Sequence, residues 1–113
     1  MIARVESCTD YMAINTHKIN SILVDYALDP NTRFVRSVTV TFDVSNHKDN
    51  AVVFPMDVEA DTYKIYKTGE IWCLKKYIID FITESLYKHI SFIDVDNALS
   101  HALNQILIDR ERD

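Results

Sequence analysis

Two runs of strict alternation limit most tightly what this chain can fold into. In the first, Val38, Val40, Phe42 and Val44 fall on one side, with Ser37, Thr39, Thr41 and Asp43 on the other; in the second, Val52, Phe54, Met56 and Val58 repeat the same spacing. A period of two belongs to a strand with one buried face. The stretch between them, Ser45 to Asn50, is rich in turn formers, so the two runs form a hairpin. Pro55 brings no N–H to a ladder and predicts an edge position or a bulge.

The other elements are placed around this hairpin. Residues 2 to 7 read as a short strand with Ala3 and Val5 on one side. From Thr9 or Asp10 to Leu28, the spacing of Met12, Ile19, Ile22, Leu23 and Tyr26 predicts an amphipathic helix, stopped by Asp29-Pro30-Asn31. Tyr63, Ile65 and Lys67 suggest a third strand closed by Thr68-Gly69. A second helix runs from about Glu70 to Ile90. Its apolar half holds Ile71, Leu74, Ile78, Phe81, Ile82 and Leu86, too wide a face for the sheet alone, and Lys76, Asp80, Glu84 and Lys88 lie opposite. Asp94 or Asp96 caps a third helix with a narrow stripe of Ala98, Leu99, Ala102, Leu103, Ile106 and Leu107. The closing residues 109–113 read as a fraying, solvated end.

The expectation is therefore an α+β fold in one domain, residues 1–113. An antiparallel meander of three to four strands packs against helices in the order (β)-α-β-β-β-α-α. Residues 1–90 form the sheet layer with two helices, and 91–113 a C-terminal amphipathic helix. The order β-α-β-β-β-α is shared with ribosome-hibernation factors and α-β-β-β-α with double-stranded-RNA-binding domains. The basic motifs with which both meet RNA have no counterpart here, so the similarity is one of topology.

Composition narrows the function. The chain holds a single glycine, Gly69, which leaves no way to write a phosphate cradle, a dinucleotide fingerprint or a nucleophile elbow. Lys+Arg 12 against Asp+Glu 17 gives a charge of -5 with no basic tail or stripe, so direct nucleic-acid binding is not expected. There is no apolar run of about 18 residues and no secretory leader, which predicts a cytoplasmic protein without a membrane span. In that compartment Cys8 and Cys73, which match no metal or redox spacing, stay as free thiols.

No catalytic constellation stands out. His17, His47, His89 and His101 form no i,i+4 pair and no metal spacing with either cysteine, and His89 reads as a core-edge histidine bonded to backbone. No metal, cofactor or catalytic residue is expected. Asp57, Glu59 and Asp61 sit two apart, which on an extended strand aims all three one way. Continuing this as a calcium loop fails at Thr62, where Gly is needed, and at Thr68, where Glu is needed. The triplet either guards an edge strand or, joined by Asp43 across the hairpin, forms a patch for a basic partner. Tyr77 and Tyr87 map to the charged half of the second helix and suit either an interface or packing over neighbouring side chains.

The functional expectation is a small, acidic, non-enzymatic binding protein. It would regulate or inhibit a larger nucleic-acid-handling partner, such as a host nuclease or defence complex, by occupying its basic surface, in the manner of a regulator carried by a phage or other mobile element. Asp43, Asp57, Glu59, Asp61, Tyr77 and Tyr87 are the candidate contact residues. The alternative is a structural assembly subunit, a homodimer or larger homo-oligomer built through Leu99, Leu103, Ile106 and Leu107 or through an open sheet edge.

Overall fold

The computed structural model describes residues 2–7, 11–45 and 51–112. Strands β1 (Ile2–Glu6) and β2 (Tyr11–Asn15) are followed by a single 3-10 turn (Thr16–Lys18), then β3 (Ile19–Leu28), β4 (Val35–Val44) and β5 (Ala51–Asp57). A one-turn helix α1 (Ala60–Tyr63) leads to α2 (Thr68–Tyr87), β6 (Phe92–Asp94) and α3 (Val95–Glu111). The fold is mixed α+β, with the strands in two sheets: β2-β1-β6, and the antiparallel meander β3-β4-β5. In the first sheet β1 runs antiparallel to β2 and parallel to β6.

The hairpin is present as β4 and β5, paired from Ser37 with Asp57 to Asp43 with Ala51. Val38, Val40, Phe42 and Val44 are buried together with Val52, Phe54 and Met56. Phe42 and Phe54 meet edge to face with ring centroids 5.8 Å apart, a geometry that sets the positive edge of one ring against the negative face of the other. Pro55 lies on β5, an edge of this sheet. The first strand is also present, with Ala3 and Val5 fully buried.

The predicted first helix is instead β2, the 3-10 turn and β3. Ile22, Val24 and Tyr26 sit opposite Phe42, Val40 and Val38, sharing the buried face of β4, while Leu23 points to the other side and is half exposed. A 3-10 turn and a register shift between Ile19 and Ser21 break the period-two pattern, and the remaining apolar residues then imitate helical spacing. With that helix gone, the element order shared with the RNA-binding folds is gone too. The third strand is likewise absent. Tyr63 ends α1, and Ile65 is buried in the connection, where its carbonyl accepts from the Val35 N–H at 2.8 Å. The capping residues Thr9 and Asp10, together with Cys8 and residues 46–50 of the hairpin turn including His47, lie outside the described residues.

Helix α2 sits between two neighbours, α3 on one side and β3 on the other. It buries Ile71, Leu74, Ile78, Ile82 and Ser85, and half-buries Tyr77, Ile79, Phe81 and Leu86. Gly69 belongs to the first turn of α2 with ordinary backbone geometry, not to a strand-to-helix turn; a methyl group there would touch nothing within 4 Å. Helix α3 begins as expected, with the Asp94 carboxylate accepting from the Asn97 N–H at 3.1 Å.

A chain so poor in glycine must put other residues where the backbone turns left-handed. Arg33, Lys64 and His89 have φ of 65°, 50° and 54°. His89 follows α2 as an exposed C-terminal cap, not a core-edge histidine: its N–H bonds the Leu86 carbonyl at 3.1 Å, and the Ile90 N–H bonds Ser85 at 3.0 Å. This double closure favours glycine, because a Cβ costs energy in that conformation. His89→Gly is expected to raise stability by about 1 kcal/mol, seen as a higher urea midpoint; a lower midpoint would show that the imidazole contributes more than the strain costs.

Candidate interaction surface

The two faces of the β3-β4-β5 sheet differ in cover. One is buried and meets α2 through β3, whereas on the other the side chains of both outer strands are exposed except Ala27, and those of β4 are exposed or half-buried. The register sets out the open face row by row: Ser21, Asp43 and Ala51; Leu23, Thr41 and Val53; Asp25, Thr39 and Pro55; Ala27, Ser37 and Asp57. Leu23 is 54% and Val53 46% exposed, and Pro55 is also exposed. Across the middle of the face, two apolar side chains therefore flank Thr41, with Pro55 beside them. Asp25, Asp43 and Asp57 are exposed at its margins, and no Lys or Arg belongs to these rows. An apolar centre with a polar rim is the usual anatomy of an interaction patch.

The acidic residues are spread around the patch instead of clustered. Asp57 and Asp43 are partnered by Ser37 and Ala51, so six residues of strand separate them, roughly 20 Å. Asp43 therefore does not lie across from Asp57 to form one charge cluster. Nor do Asp57, Glu59 and Asp61 share one strand face. The strand ends at Asp57, Glu59 precedes α1 and accepts from the Thr62 hydroxyl at 3.2 Å, and Asp61 lies in the first turn of that helix. Asp25, which no spacing in the sequence links to the other acids, is instead the third acid on the open face.

The helical layer uses its polar residues to hold itself together. Tyr77 is half buried, and its hydroxyl donates to the Asp109 carboxylate, which Gln105 also bonds at 3.0 Å. The negative acceptor and partial burial push the Tyr77 hydroxyl up to about 12, and the same bond, helped by Gln105, draws the Asp109 carboxyl below its usual range. Tyr77 is thus a tie between α2 and α3. Tyr87 is 84% exposed and remains available to a partner.

Residues 109–112 are not a free end. Arg110 makes a two-pronged pair with Glu70, Nε to Oε2 at 2.6 Å and Nη2 to Oε1 at 2.9 Å. It also donates to the Tyr63 carbonyl at 2.7 Å and the Lys64 carbonyl at 3.3 Å. The guanidinium holds the Glu70 carboxyl below its usual range. One side chain thereby joins α3 to the start of α2 and the end of α1. A shallow pocket beside this junction is lined by Glu70, Cys73, Asp109 and Arg110, the Cys73 thiol being free.

Of the four leucine and isoleucine residues expected to meet another copy, Leu99, Leu103 and Ile106 are buried in the protomer's own core. Only Leu107 stays open, at 37%. Helix α2 occupies the place that a second protomer was expected to fill. The structure exposes instead a residue not singled out in the sequence, Trp72 at 62%, one helical turn before Lys75, whose ammonium lies 5.6 Å from the Tyr26 ring centre. Among the described residues, no three His, Cys, Asp or Glu side chains are placed to hold a metal, and no helix is long and apolar enough to cross a membrane. Compared with protein-family profiles, with curated protein sequences and with solved structures, the chain matches none.

Proposed function

We propose that this protein is a non-enzymatic binding module that engages a basic, partly apolar partner through the open face of the β3-β4-β5 sheet. The observation that carries this reading is the exposed apolar strip of Leu23, Val53 and Pro55, with Asp25, Asp43 and Asp57 the only charges in the described rows of that face. Apolar area supplies the attraction, and a single sign of charge at the rim selects the partner and speeds encounter. Regulation or inhibition of a nucleic-acid-handling protein fits this chemistry, since such proteins carry basic surfaces.

Size limits the mode of binding. Three strands spaced about 4.8 Å apart and seven residues at about 3.4 Å give roughly 340 Å². A standard protein interface takes about 800 Å² from each side. The face of one protomer therefore suits a segment of a partner better than a broad domain surface.

Photo-crosslinking tests the assignment. With a photoreactive residue at Val53, the protein in its native cells is expected to capture a partner through a Lys/Arg-rich segment, and the same residue at Ser100 on α3 is expected to capture none. Reversing Asp25, Asp43 and Asp57 to Lys should abolish the adduct while leaving the melting temperature within a few degrees. An adduct that survives the reversal, or that forms equally from Ser100, would remove the open face as the binding site.

A further inference from the structure

We propose that β3 pairs with β3 of a second copy of this chain, joining two three-stranded sheets into one of six, β5-β4-β3-β3-β4-β5. The two edges of the sheet differ in kind. The β5 edge carries Pro55 and ends in Asp57, features that discourage further pairing. The β3 edge is ten residues long, Ile-Asn-Ser-Ile-Leu-Val-Asp-Tyr-Ala-Leu, with no proline or lysine and a single charge. Among the described residues, the only backbone partner of residues 20–27 is β4. A long, nearly neutral edge with unpaired N–H and C=O groups is a template for another strand.

The exposed apolar side chains gather at this same edge. Leu23 and Tyr26 are 54% and 42% exposed on β3. Above them, Lys75 of α2 lies over the Tyr26 ring, and Trp72, 62% exposed, is one turn away on the same helix. The open parts of Trp72 and Tyr26 amount to roughly 250 Å² per protomer. Two copies with their strand backbones bring the total toward the ~1,000 Å² that a specific interface requires.

A copy of the same strand fits the edge particularly well. A two-fold axis makes an antiparallel pair in which each residue finds the same partner in both directions. With the axis at Val24, Val24 faces its own counterpart and Tyr26 faces Ile22, so the buried-face row continues apolar from one sheet into the next. On the open face Asp25 lies opposite Leu23, and no two acids meet. Cross-strand aromatic and β-branched pairs of this kind stabilise a ladder, whereas like charges directly opposite would oppose it. This inference is independent of the open-face reading, although pairing would double that face to roughly 680 Å².

Sedimentation equilibrium of the full chain tests the pairing, with urea melts to confirm folding. The expected mass is twice the 13.1 kDa of the chain. Tyr26→Glu puts a charge opposite Ile22 of the other copy, while Lys75 keeps it partnered in the monomer. It should weaken association by roughly 100-fold or more. Trp72→Ala should weaken it to a smaller extent, and serves if Tyr26→Glu does not fold. Val53→Lys on the open face should leave the mass doubled. A mass of 13.1 kDa at all concentrations, or a dimer sensitive to Val53→Lys and indifferent to Tyr26→Glu and Trp72→Ala, would overturn the proposal. So would a monomer whose β3 amides gain hydrogen-exchange protection only when an added extended peptide binds.

Discussion

Phe42→Ala is expected to lower the unfolding free energy by about 4 kcal/mol, the largest single effect in the molecule. Phe42 has no exposed surface and lies on β4, the central strand, with Ile22 and Val52 opposite it on either side and the Phe54 ring edge to face. Truncation removes the transfer energy of the ring and the aromatic contact, and it leaves a void that strands on both flanks keep from collapsing. Against a total stability of about 5–15 kcal/mol this is a severe loss. Urea unfolding should show it as a lower midpoint at unchanged slope. Phe42→Ala and Phe54→Ala together should cost less than the sum of the two, because each removes the same ring contact. Val53→Ala, on the open face, should change stability by no more than about 0.5 kcal/mol. If Phe42→Ala and Val53→Ala cost equally little, the two faces of the sheet have been assigned wrongly.

The second large effect is expected at Arg110. Arg110→Ala removes a two-pronged ion pair and two bonds to backbone carbonyls, contacts that draw α1, α2 and α3 together. The pair is partly sheltered, with side-chain exposures of 34% and 21%. A loss of about 2 kcal/mol follows, less than a buried pair would give because solvent screens part of the attraction. Arg110→Lys should recover only part of it, since an ammonium cannot reproduce the planar fork. Acid provides a further check. Arg110 depresses the Glu70 carboxyl in the folded protein, so its contribution is complete above the ordinary value of 4.5 and disappears as pH falls through the depressed one. The stability gap between the native protein and Arg110→Ala should be constant from pH 6 to 8 and narrow on acidification below about pH 4.5, down to the share of the two carbonyl bonds, which do not titrate. A gap that stays constant down to pH 2 would show that Glu70 is not the partner that matters.

The sequence reveals most where the chemistry is local. The β4-β5 hairpin, the strand with Ala3 and Val5, helices α2 and α3 and the Asp94 cap all follow from spacing within a few residues, and all are present. Residues 10–28 mislead because parity is lost. Ile22, Val24 and Tyr26 do alternate, but a 3-10 turn and a register shift separate them from Met12 and Ile14, and Leu23 enters the apparent stripe from the wrong face. The β-branched content of that stretch, Ile14, Ile19, Ile22 and Val24, was the signal for a strand. The partners of Arg110 and Tyr77 stand 40 and 32 residues away, beyond any spacing rule, so their charges resemble a solvated tail. Asp25 goes unnoticed for the same reason. It joins Asp43 and Asp57 only once β3 lies beside β4.

The pairing of β1 with β6 bears on the order in which the molecule can form. Arg4 is opposite Phe92, 88 residues along the chain, whereas β3 and β4 are joined by a six-residue connection. Closing the larger loop costs about 2 kcal/mol more entropy than closing the smaller one. The meander can therefore assemble as soon as its own residues are present, but the smaller sheet must wait for β6. Val5, buried opposite Ile93, lacks that partner until residues 92–94 are in place. Strand β1 is therefore among the last elements to be locked in place, and pairings of such long range slow the folding of a small protein.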